Sequence, residues 1–348
     1  MILEINGEET PSGLIVDDLL KKSRPGEKLK IQLQRDGQQL DYSVTLRAHP
    51  LEIVRPDRQT EHESVEGHPL SCLVGLETVG IGTKATNVKR DADEIGALPS
   101  LREGHWELVS SNADMAEFRF VVGAKQLKAI GQTGELEVIK RYQLAKTTTE
   151  QIEQVTAPAY HVNIELEIRS RGVPNRAVAY RMSGPNGLPL EGWWYMSKTG
   201  ARDVVIRTDA GGMQWKRCPE IYKKAIKRPT EAEPNVEPWV TMFAGDTPVS
   251  GRAIRYIGVD AQYFSAVLFP IGSDGGGGVF RQARAVGIGD ARRIPSARNK
   301  TLNVSFELSS EPTMITEEAP LKHTFKLFAG PKQADLLDQY GATGAGGK

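Results

Sequence analysis

From about residue 70 onward, apolar and polar residues alternate with a period of two, and this pattern most narrows what the chain can fold into. Phe118, Phe120 and Val122 occupy every second position, and residues 161–168 alternate in the same way over a longer stretch. Successive side chains of a β-strand point to opposite faces, so the pattern predicts strands with one buried face. Turns rich in Gly, Pro and Asn separate these segments without intervening helices. The sequence therefore predicts a large antiparallel two-sheet β-sandwich.

Further strands are predicted over residues 204–207, 241–243, 253–257, 264–269, 302–308 and 323–328. A helical pattern appears only near the end of the chain, from Gln333 to Tyr340.

The first 48 residues are predicted to form a separate, small α/β segment. Val16, Leu19 and Leu20 recur at helical spacing, and Asp36-Gly37 joins two alternating runs as a strong hairpin turn. A polar, proline-containing stretch follows. The predicted organisation is a segment over 1–48, a linker over 49–70, a β-sandwich over 71–332, and a C-terminal helix with a flexible tail over 333–348.

The strings ILEINGEE, VDDLLKKS, RPGE and KIQLQRDGQQLDYSVTL occur in this order within residues 1–48. In that order they resemble the second half of a PDZ domain of the bacterial protease type. The resemblance implies a peptide-binding scaffold, because a complete PDZ domain captures a peptide C-terminus as an added strand. The loop that binds the peptide carboxylate is expected to precede residue 1, so this segment by itself is not expected to bind peptide.

Composition and charge exclude several functional classes. Lys plus Arg and Asp plus Glu each total 44, and this balance argues against a nucleic-acid partner. The longest nearly unbroken apolar run, residues 263–271, is too short for a membrane-spanning helix. Cys72 and Cys218 match no metal or redox spacing and are expected to be buried free thiols, although a disulfide between them stays open.

No catalytic, cofactor or metal motif is recognised. The six histidines are scattered, and the chain contains no nucleophile elbow, P-loop, zinc-protease motif or calcium-binding loop. The sequence accordingly predicts no catalytic residue, no cofactor and no metal site, and the protein is expected not to be an enzyme.

Three stretches of the β region together resemble the large periplasmic domain of the YidC-type membrane protein insertases. They are GELEVIKRYQL followed by YHVNIELEIRSRG, then YIGVDAQYFSAVLFP at residues 256–270, and KLFAGPKQADLLDQYG at residues 326–341. The resemblance covers residues 70–341. It implies a β-supersandwich that is itself similar to galactose mutarotases.

The function that this resemblance implies is that of a non-catalytic periplasmic domain of an insertase or chaperone in a bacterial inner membrane. Its partners would be Sec translocon components and membrane-protein substrates, bound through the full-length protein. Membrane helices are expected beyond residue 348. The junction toward them is expected at Leu327, Phe328, Gly330, Pro331 and Lys332.

The main alternative is a sugar-binding or mutarotase-like sandwich. Mutarotation needs an acid and a base around a sugar ring, and His161 with Glu165 or Glu167 lies on one face of a predicted strand. An aromatic set is a possible saccharide or peptide groove. That set consists of Trp193, Trp194, Tyr195 and Trp215, with Trp239 further along the chain. A PDZ-type scaffold is the third hypothesis.

Overall fold

The computed structural model of the protein describes residues 2–10, 15–16, 19, 22–24, 26–35, 37–46, 70–81, 84–90, 92–152, 154, 156–188, 202–209, 212–227, 236–244, 253–272 and 279–341. The chain divides into two compact units, residues 1–55 and residues 56–348. Most of the predicted linker lies outside the described residues. The domain boundaries proposed from the sequence stay a prediction.

The first unit contains a four-stranded antiparallel sheet with the order β2-β1-β3-β4. Its strands are β1 (Ile2–Ile5), β2 (Glu8–Glu9), β3 (Lys28–Arg35) and β4 (Gln38–Thr45). Asn6 and Gly7 both have positive φ, 54° and 85°, which suits a tight hairpin turn between β1 and β2. The hairpin predicted at Asp36-Gly37 is confirmed by the β3–β4 pairing.

The second unit contains two large antiparallel sheets. Among its described residues, nine strands follow the order β13-β12-β15-β16-β20-β10-β9-β8-β7, and six follow the order β14-β17-β18-β11-β5-β6, with β19 added on β11 as the seventh. The strands are β5 (Val74–Ile81), β6 (Lys84–Asn87), β7 (Glu107–Ser111), β8 (Met115–Val122), β9 (Glu135–Leu144), β10 (His161–Arg171), β11 (Arg176–Ser183), β12 (Asp203–Thr208), β13 (Met213–Lys216), β14 (Trp239–Ala244), β15 (Ile254–Asp260), β16 (Phe264–Ile271), β17 (Phe280–Gly287), β18 (Val304–Ser310), β19 (Thr313–Ile315) and β20 (Leu321–Pro331).

Short helices connect or cap these strands. They are α1 (Ala124–Lys128), α2 (Thr149–Ile152), α3 (Cys218–Ala225) and α4 (Ala334–Gln339), with 3-10 turns at Ala291–Arg293 and Ser296–Thr301. The predicted C-terminal helix is confirmed as α4. In the described part of the chain, no helix has the length and apolar character needed to cross a bilayer.

The main hydrophobic core lies between the two sheets. Val178 and Tyr180 of β11 and Phe306 and Leu308 of β18 enter it from the seven-stranded sheet. The alternating side chains of β9, β10 and β20 enter it from the nine-stranded sheet. A smaller cluster lies where α4 covers the outer face of the nine-stranded sheet, and its fully buried members include Phe328 and Leu336.

These observations confirm the predicted fold class at the level of a mainly β protein with antiparallel sheets. The PDZ-like interpretation of residues 1–48 gains no support: the described residues of that unit form a four-stranded sheet with a short helical segment. Cys72 and Cys218 are both free and buried, as expected. Burial raises the pKa of Cys72 to about 11 and that of Cys218 to about 12, so both thiols are protonated at neutral pH.

Candidate ligand pocket on the seven-stranded sheet

The outer face of the seven-stranded sheet carries charged side chains that are nevertheless buried. Tyr180 fills the core between the sheets, so its neighbour Arg181 points to the opposite face. The same alternation directs Glu77, Arg284 and Glu307 outward from three neighbouring strands. All four charged residues are buried. Ionised groups are held in such places only when they pair with one another.

The segment between β6 and β7, residues 88–106, covers this face. Arg181 donates from Nη1 to the backbone oxygen of Ala92, at 3.1 Å. A Cβ atom added to Gly75 would lie only 2.9 Å from the backbone oxygen of Asp93. The covering segment therefore runs directly over β5, and the absence of a side chain at Gly75 permits this close approach.

Glu77 is the most deeply buried of these charges, with 1% of its side chain exposed. Its carboxylate pairs with Arg181 and, at 3.0 Å, with Arg281. The hydroxyl of Ser309 donates to it at 3.0 Å. Two cations and a hydroxyl group thus satisfy one carboxylate, which is the condition for its burial.

A second carboxylate, Asp93 of the covering segment, faces three guanidinium groups. Its oxygens lie 3.3 Å from Arg181, 3.8 Å from Arg284 and 4.0 Å from Arg102. Arg284 also donates from both Nε and Nη2 to one oxygen of Glu307. The result is a continuous ionic layer between the sheet and its cover.

A pocket of about 380 Å³ opens beside this layer. Its polar and aromatic wall includes Asp93, Arg102, Asn186, Trp239, Arg284 and Glu307. The guanidinium carbon of Arg284 lies 4.1 Å from the centroid of the Trp239 ring, a cation–π contact that fixes both side chains. Two buried donors in this wall have no hydrogen-bond partner, Nε1 of Trp239 and Nη1 of Arg102. An unpaired buried donor costs roughly 1–3 kcal/mol, so both atoms would gain from a ligand acceptor.

Regular structure positions this wall. Trp239 begins β14 and pairs with Val286 of β17. Asn186 follows β11, where its amide nitrogen donates to the backbone oxygen of Leu70 at 3.0 Å and its carbonyl accepts from Asn303 at 3.4 Å. The pocket is therefore built from side chains held by the sheet and by loop hydrogen bonds.

The acid–base residues proposed from the sequence lie on the other sheet. Glu165 and Glu167 point outward from β10, and both accept hydrogen bonds from Arg141 of β9, as does Glu117 of β8. This arrangement forms an ion-pair row across three strands. A second, more open depression of about 520 Å³ lies at the end of this row.

His161 does not join those carboxylates. Its Nδ1 lies 2.8 Å from the hydroxyl of Tyr340, and burial, followed by the charge of Lys326, lowers its pKa. Glu165 follows His161 by four residue steps along the strand, a distance of about 13 Å at the usual rise per residue. The structure therefore does not bring the two together as an acid–base pair around one sugar ring.

The predicted aromatic groove is only partly described. Trp193, Trp194 and Tyr195 lie outside the described residues. Trp215 lies on β13, at an edge of the nine-stranded sheet, with 48% of its surface exposed. Of the two described members of the aromatic set, Trp215 and Trp239, it is Trp239 that lines the pocket.

The residues expected at a membrane junction belong to β20 and its end. Leu327, Phe328, Gly330 and Pro331 pair with β16 in the interior of the nine-stranded sheet. Lys332 donates from Nζ to Asp260 at 2.8 Å. Within the described residues, no group of three His, Cys, Asp or Glu side chains is placed to hold a metal ion.

Sequence reasoning passed over the residues that form the pocket. Arg181, Arg284 and Glu307 look like ordinary polar positions of alternating strands, and Asp93 and Arg102 lie in a loop. A signal was nevertheless present, because β5, β11, β17 and β18 each carry a charge amid small or apolar residues. Such a repeated charge on neighbouring strands indicates pairing across a covered face.

Comparison with known proteins finds no matching family model and no matching curated protein. Solved structures similar to this chain include a GalM/aldose epimerase homologue from C. elegans, with a TM-score of 0.42 and 10% identity over 89% of this chain and 94% of that one. A galactose mutarotase-like protein from Clostridium acetobutylicum has a TM-score of 0.42 and 8% identity, and the match covers 88% of this chain and 94% of that one. A galactose mutarotase related enzyme from Lactobacillus acidophilus has a TM-score of 0.37 and 6% identity, and the match covers 67% of this chain and 74% of that one.

These findings correct the interpretation drawn from three sequence stretches. The solved structures that include an epimerase homologue and mutarotase-like proteins do not point to an insertase periplasmic domain, so the assignments of family, insertase function and chaperone role were wrong. The expectation of a non-enzyme was also wrong, since these neighbours are named as epimerases and mutarotase-related enzymes. The stretches GELEVIKRYQL, YIGVDAQYFSAVLFP and KLFAGPK form the paired strands β9, β15–β16 and β20, whose alternation is common to many sandwiches. At these identities and TM-scores, the matches transfer no activity and no residue role to this chain.

Proposed function

We propose that this protein binds a carbohydrate in the pocket beside Trp239, Arg284 and Glu307. The observation that carries the proposal is the composition of the wall, an indole ring next to planar carboxylate, amide and guanidinium groups. A pyranose presents apolar C–H faces together with a rim of hydroxyl groups. An aromatic side chain packs against the former, and fixed planar polar groups bind the latter.

The wall is preorganised, which favours binding. Arg284 is held by Glu307 on one side and by the Trp239 ring on another, so little side-chain freedom remains to be lost. The buried Nε1 of Trp239 is a donor without a partner. A sugar hydroxyl that accepts from it would satisfy this donor.

Two carboxylates, Asp93 and Glu307, meet the same guanidinium group of Arg284. Ring opening of an aldose needs one group to remove a proton and another to donate one. Sugar binding is the proposed function, and mutarotation is the activity to assay in the same pocket, with Glu307 as the candidate base.

The binding proposal is tested by titrating the protein with a panel of hexoses, followed by NMR and by calorimetry. Trp239→Phe keeps an aromatic ring but removes the Nε1 donor, and we expect it to weaken binding by about tenfold, the loss of one neutral hydrogen bond. Trp239→Ala should abolish measurable binding. Trp215→Phe on the other sheet is the matched control and should bind as the unaltered protein does.

A panel that gives no saturable binding contradicts the proposal, and so does equal weakening by Trp239→Phe and Trp215→Phe. Polarimetry of freshly dissolved hexose, compared between the unaltered protein and Glu307→Gln, then decides whether the pocket also catalyses mutarotation.

A further inference from the structure

Counted over the described residues, the ionic layer beneath the pocket is short of one negative charge. Its ion pairs join four guanidinium groups to three carboxylates: Arg102, Arg181, Arg281 and Arg284 with Glu77, Asp93 and Glu307. The remaining lining arginine, Arg90, has its own partner in Glu237 at 3.1 Å. The deficit therefore lies within the layer.

Arg102 is the member without a carboxylate of its own. Glu77 pairs with Arg181 and Arg281, and Glu307 pairs with Arg284. Of the carboxylates in the described part of the chain, Arg102 reaches only that of Asp93, at 4.0 Å, and shares it with two other arginines.

The neighbouring described acid Glu94 does not compensate. Glu94 accepts the backbone N–H of Leu101 at 3.1 Å and forms no ion pair among the described residues. Asp93 has 54% of its side chain exposed, so water screens its attraction for Arg102. Arg102 is more enclosed, with 18% exposed, and its Nη1 is buried without a partner.

A guanidinium group in this state is suited to one kind of ligand group. Its planar donors match a carboxylate or a phosphate, and such charge-assisted hydrogen bonds are about twice as strong as neutral ones. A neutral sugar hydroxyl would satisfy Nη1 but would leave the charge uncompensated.

We infer that the ligand of this pocket is an acidic sugar whose single anionic group binds Arg102, while its ring lies against the wall that contains Trp239. The inference rests on the proposed sugar-binding function and deepens it by naming the class of ligand. The anionic group is a carboxylate, as in a hexuronate, or a phosphate ester, since both present the same oxygen geometry to the guanidinium group.

The test compares the affinities of D-galactose, D-galacturonate, D-glucose, D-glucuronate and D-glucose 6-phosphate by calorimetry at low ionic strength. We expect at least one acidic sugar to bind about tenfold or more tightly than its neutral parent, because a charge-assisted hydrogen bond is about twice as strong as a neutral one. The preference should shrink at higher salt, since salt screens partly exposed charges. The uronates and the phosphate ester distinguish the two anionic groups.

Arg102→Gln should weaken binding of the acidic sugar far more than binding of its neutral parent. The variant should therefore lose the preference for the acidic sugar. Arg102→Lys keeps the positive charge and should retain part of the preference for the acidic sugar. This result would show that the loss in Arg102→Gln does not come from a folding defect. Arg255→Gln is the matched control, because Arg255 forms an exposed pair with Asp209 on the other sheet. That control should leave the preference unchanged.

The outcomes separate the two proposals. If neutral and acidic sugars bind equally well, the inference fails while sugar binding stands. If inorganic phosphate or acetate binds as tightly as the acidic sugar, recognition of the sugar ring fails. If none of the sugars binds, the proposed function itself fails.

Discussion

Glu77 has its carboxylate between two guanidinium groups under the covering segment, and this location makes its charge structurally important. Removing one partner of a buried ion pair leaves the other charge uncompensated, which typically costs 3–5 kcal/mol. We expect Glu77→Gln to lower the free energy of unfolding by about that amount, because Arg181 then keeps its charge in the buried layer with the half-exposed Asp93, at 3.3 Å, as its counterion. Urea denaturation at neutral pH measures the change.

The matched control is Glu107→Gln. Glu107 pairs with Arg119 at 2.8 Å, but 60% of its side chain is exposed, so water already solvates both partners. Exposed pairs contribute about 0–1 kcal/mol. Similar losses in the two variants would contradict the view that burial of the layer, rather than charge pairing alone, makes Glu77 important.

At this scale the sequence indicates which residues are polar but not what covers them. In β11 and β18, Tyr180 and Phe306 point inward and Arg181 and Glu307 point outward, as side-chain alternation along a strand requires. An outward position on a sandwich is normally solvated. Burial of these charges depends on residues 88–106 folding back over the sheet, which no local pattern in the sequence specifies.

Single elements were predicted well where the alternation is long. The predicted strand over 264–269 appears as β16 (Phe264–Ile271), and the one over 323–328 appears as β20 (Leu321–Pro331). Helix α3 was missed. It has only eight residues, begins with a proline near its first turn, and buries Ile221 and Tyr222 against neighbouring elements. Tertiary packing stabilises a helix of this length, so its sequence alone gives little signal.

Helix α4 is a second short element whose stability depends on one buried contact. Leu336 is fully buried against the outer face of the nine-stranded sheet, beside Phe328. Replacing a buried leucine by alanine costs about 2–5 kcal/mol, and this exceeds what a six-residue helix can supply by itself. We expect Leu336→Ala to undock α4 while the sheets stay folded.

Hydrogen exchange measures this effect. Protection should fall at Leu337, Tyr340 and Gly341, whose amides bond within the helix and its cap, and should stay unchanged in β10 and β16. Asp335→Ala alters an exposed position of the same helix and should change protection little. Loss of protection throughout both sheets would show instead that α4 is part of the global folding unit.

A polar contact between Tyr180 and His323 joins the two large sheets across the core, in addition to apolar packing. Tyr180 belongs to the seven-stranded sheet and His323 to the nine-stranded sheet, and the Tyr180 hydroxyl lies 2.6 Å from Nδ1 of His323. The rings of Phe280 and Phe325 surround this pair. A neutral imidazole fits this apolar environment, whereas an imidazolium does not.

Burial of His323 makes the stability of the whole sandwich depend on pH. Burial lowers the pKa of His323 to about 4, whereas an unfolded histidine titrates near 6.5. The unfolded chain therefore binds the proton first. The stability contributed by neutral His323 is complete above about pH 6.5 and is lost as the pH falls toward 4. The shift corresponds to a loss of about 3 kcal/mol in total, with about 2 kcal/mol already lost at pH 5.

We expect His323→Gln to remove this part of the pH dependence. The glutamine amide does not titrate, and its oxygen can accept the Tyr180 hydroxyl. Urea denaturation at pH 7.5 and at pH 5.0 gives the difference in unfolding free energy for each protein, and the difference for the variant should be smaller by about 2 kcal/mol. His105→Gln, at an exposed position, should keep the original dependence. If His323→Gln keeps it too, the acid sensitivity of the sandwich arises from other groups, and protonation within the core between the sheets does not limit its stability.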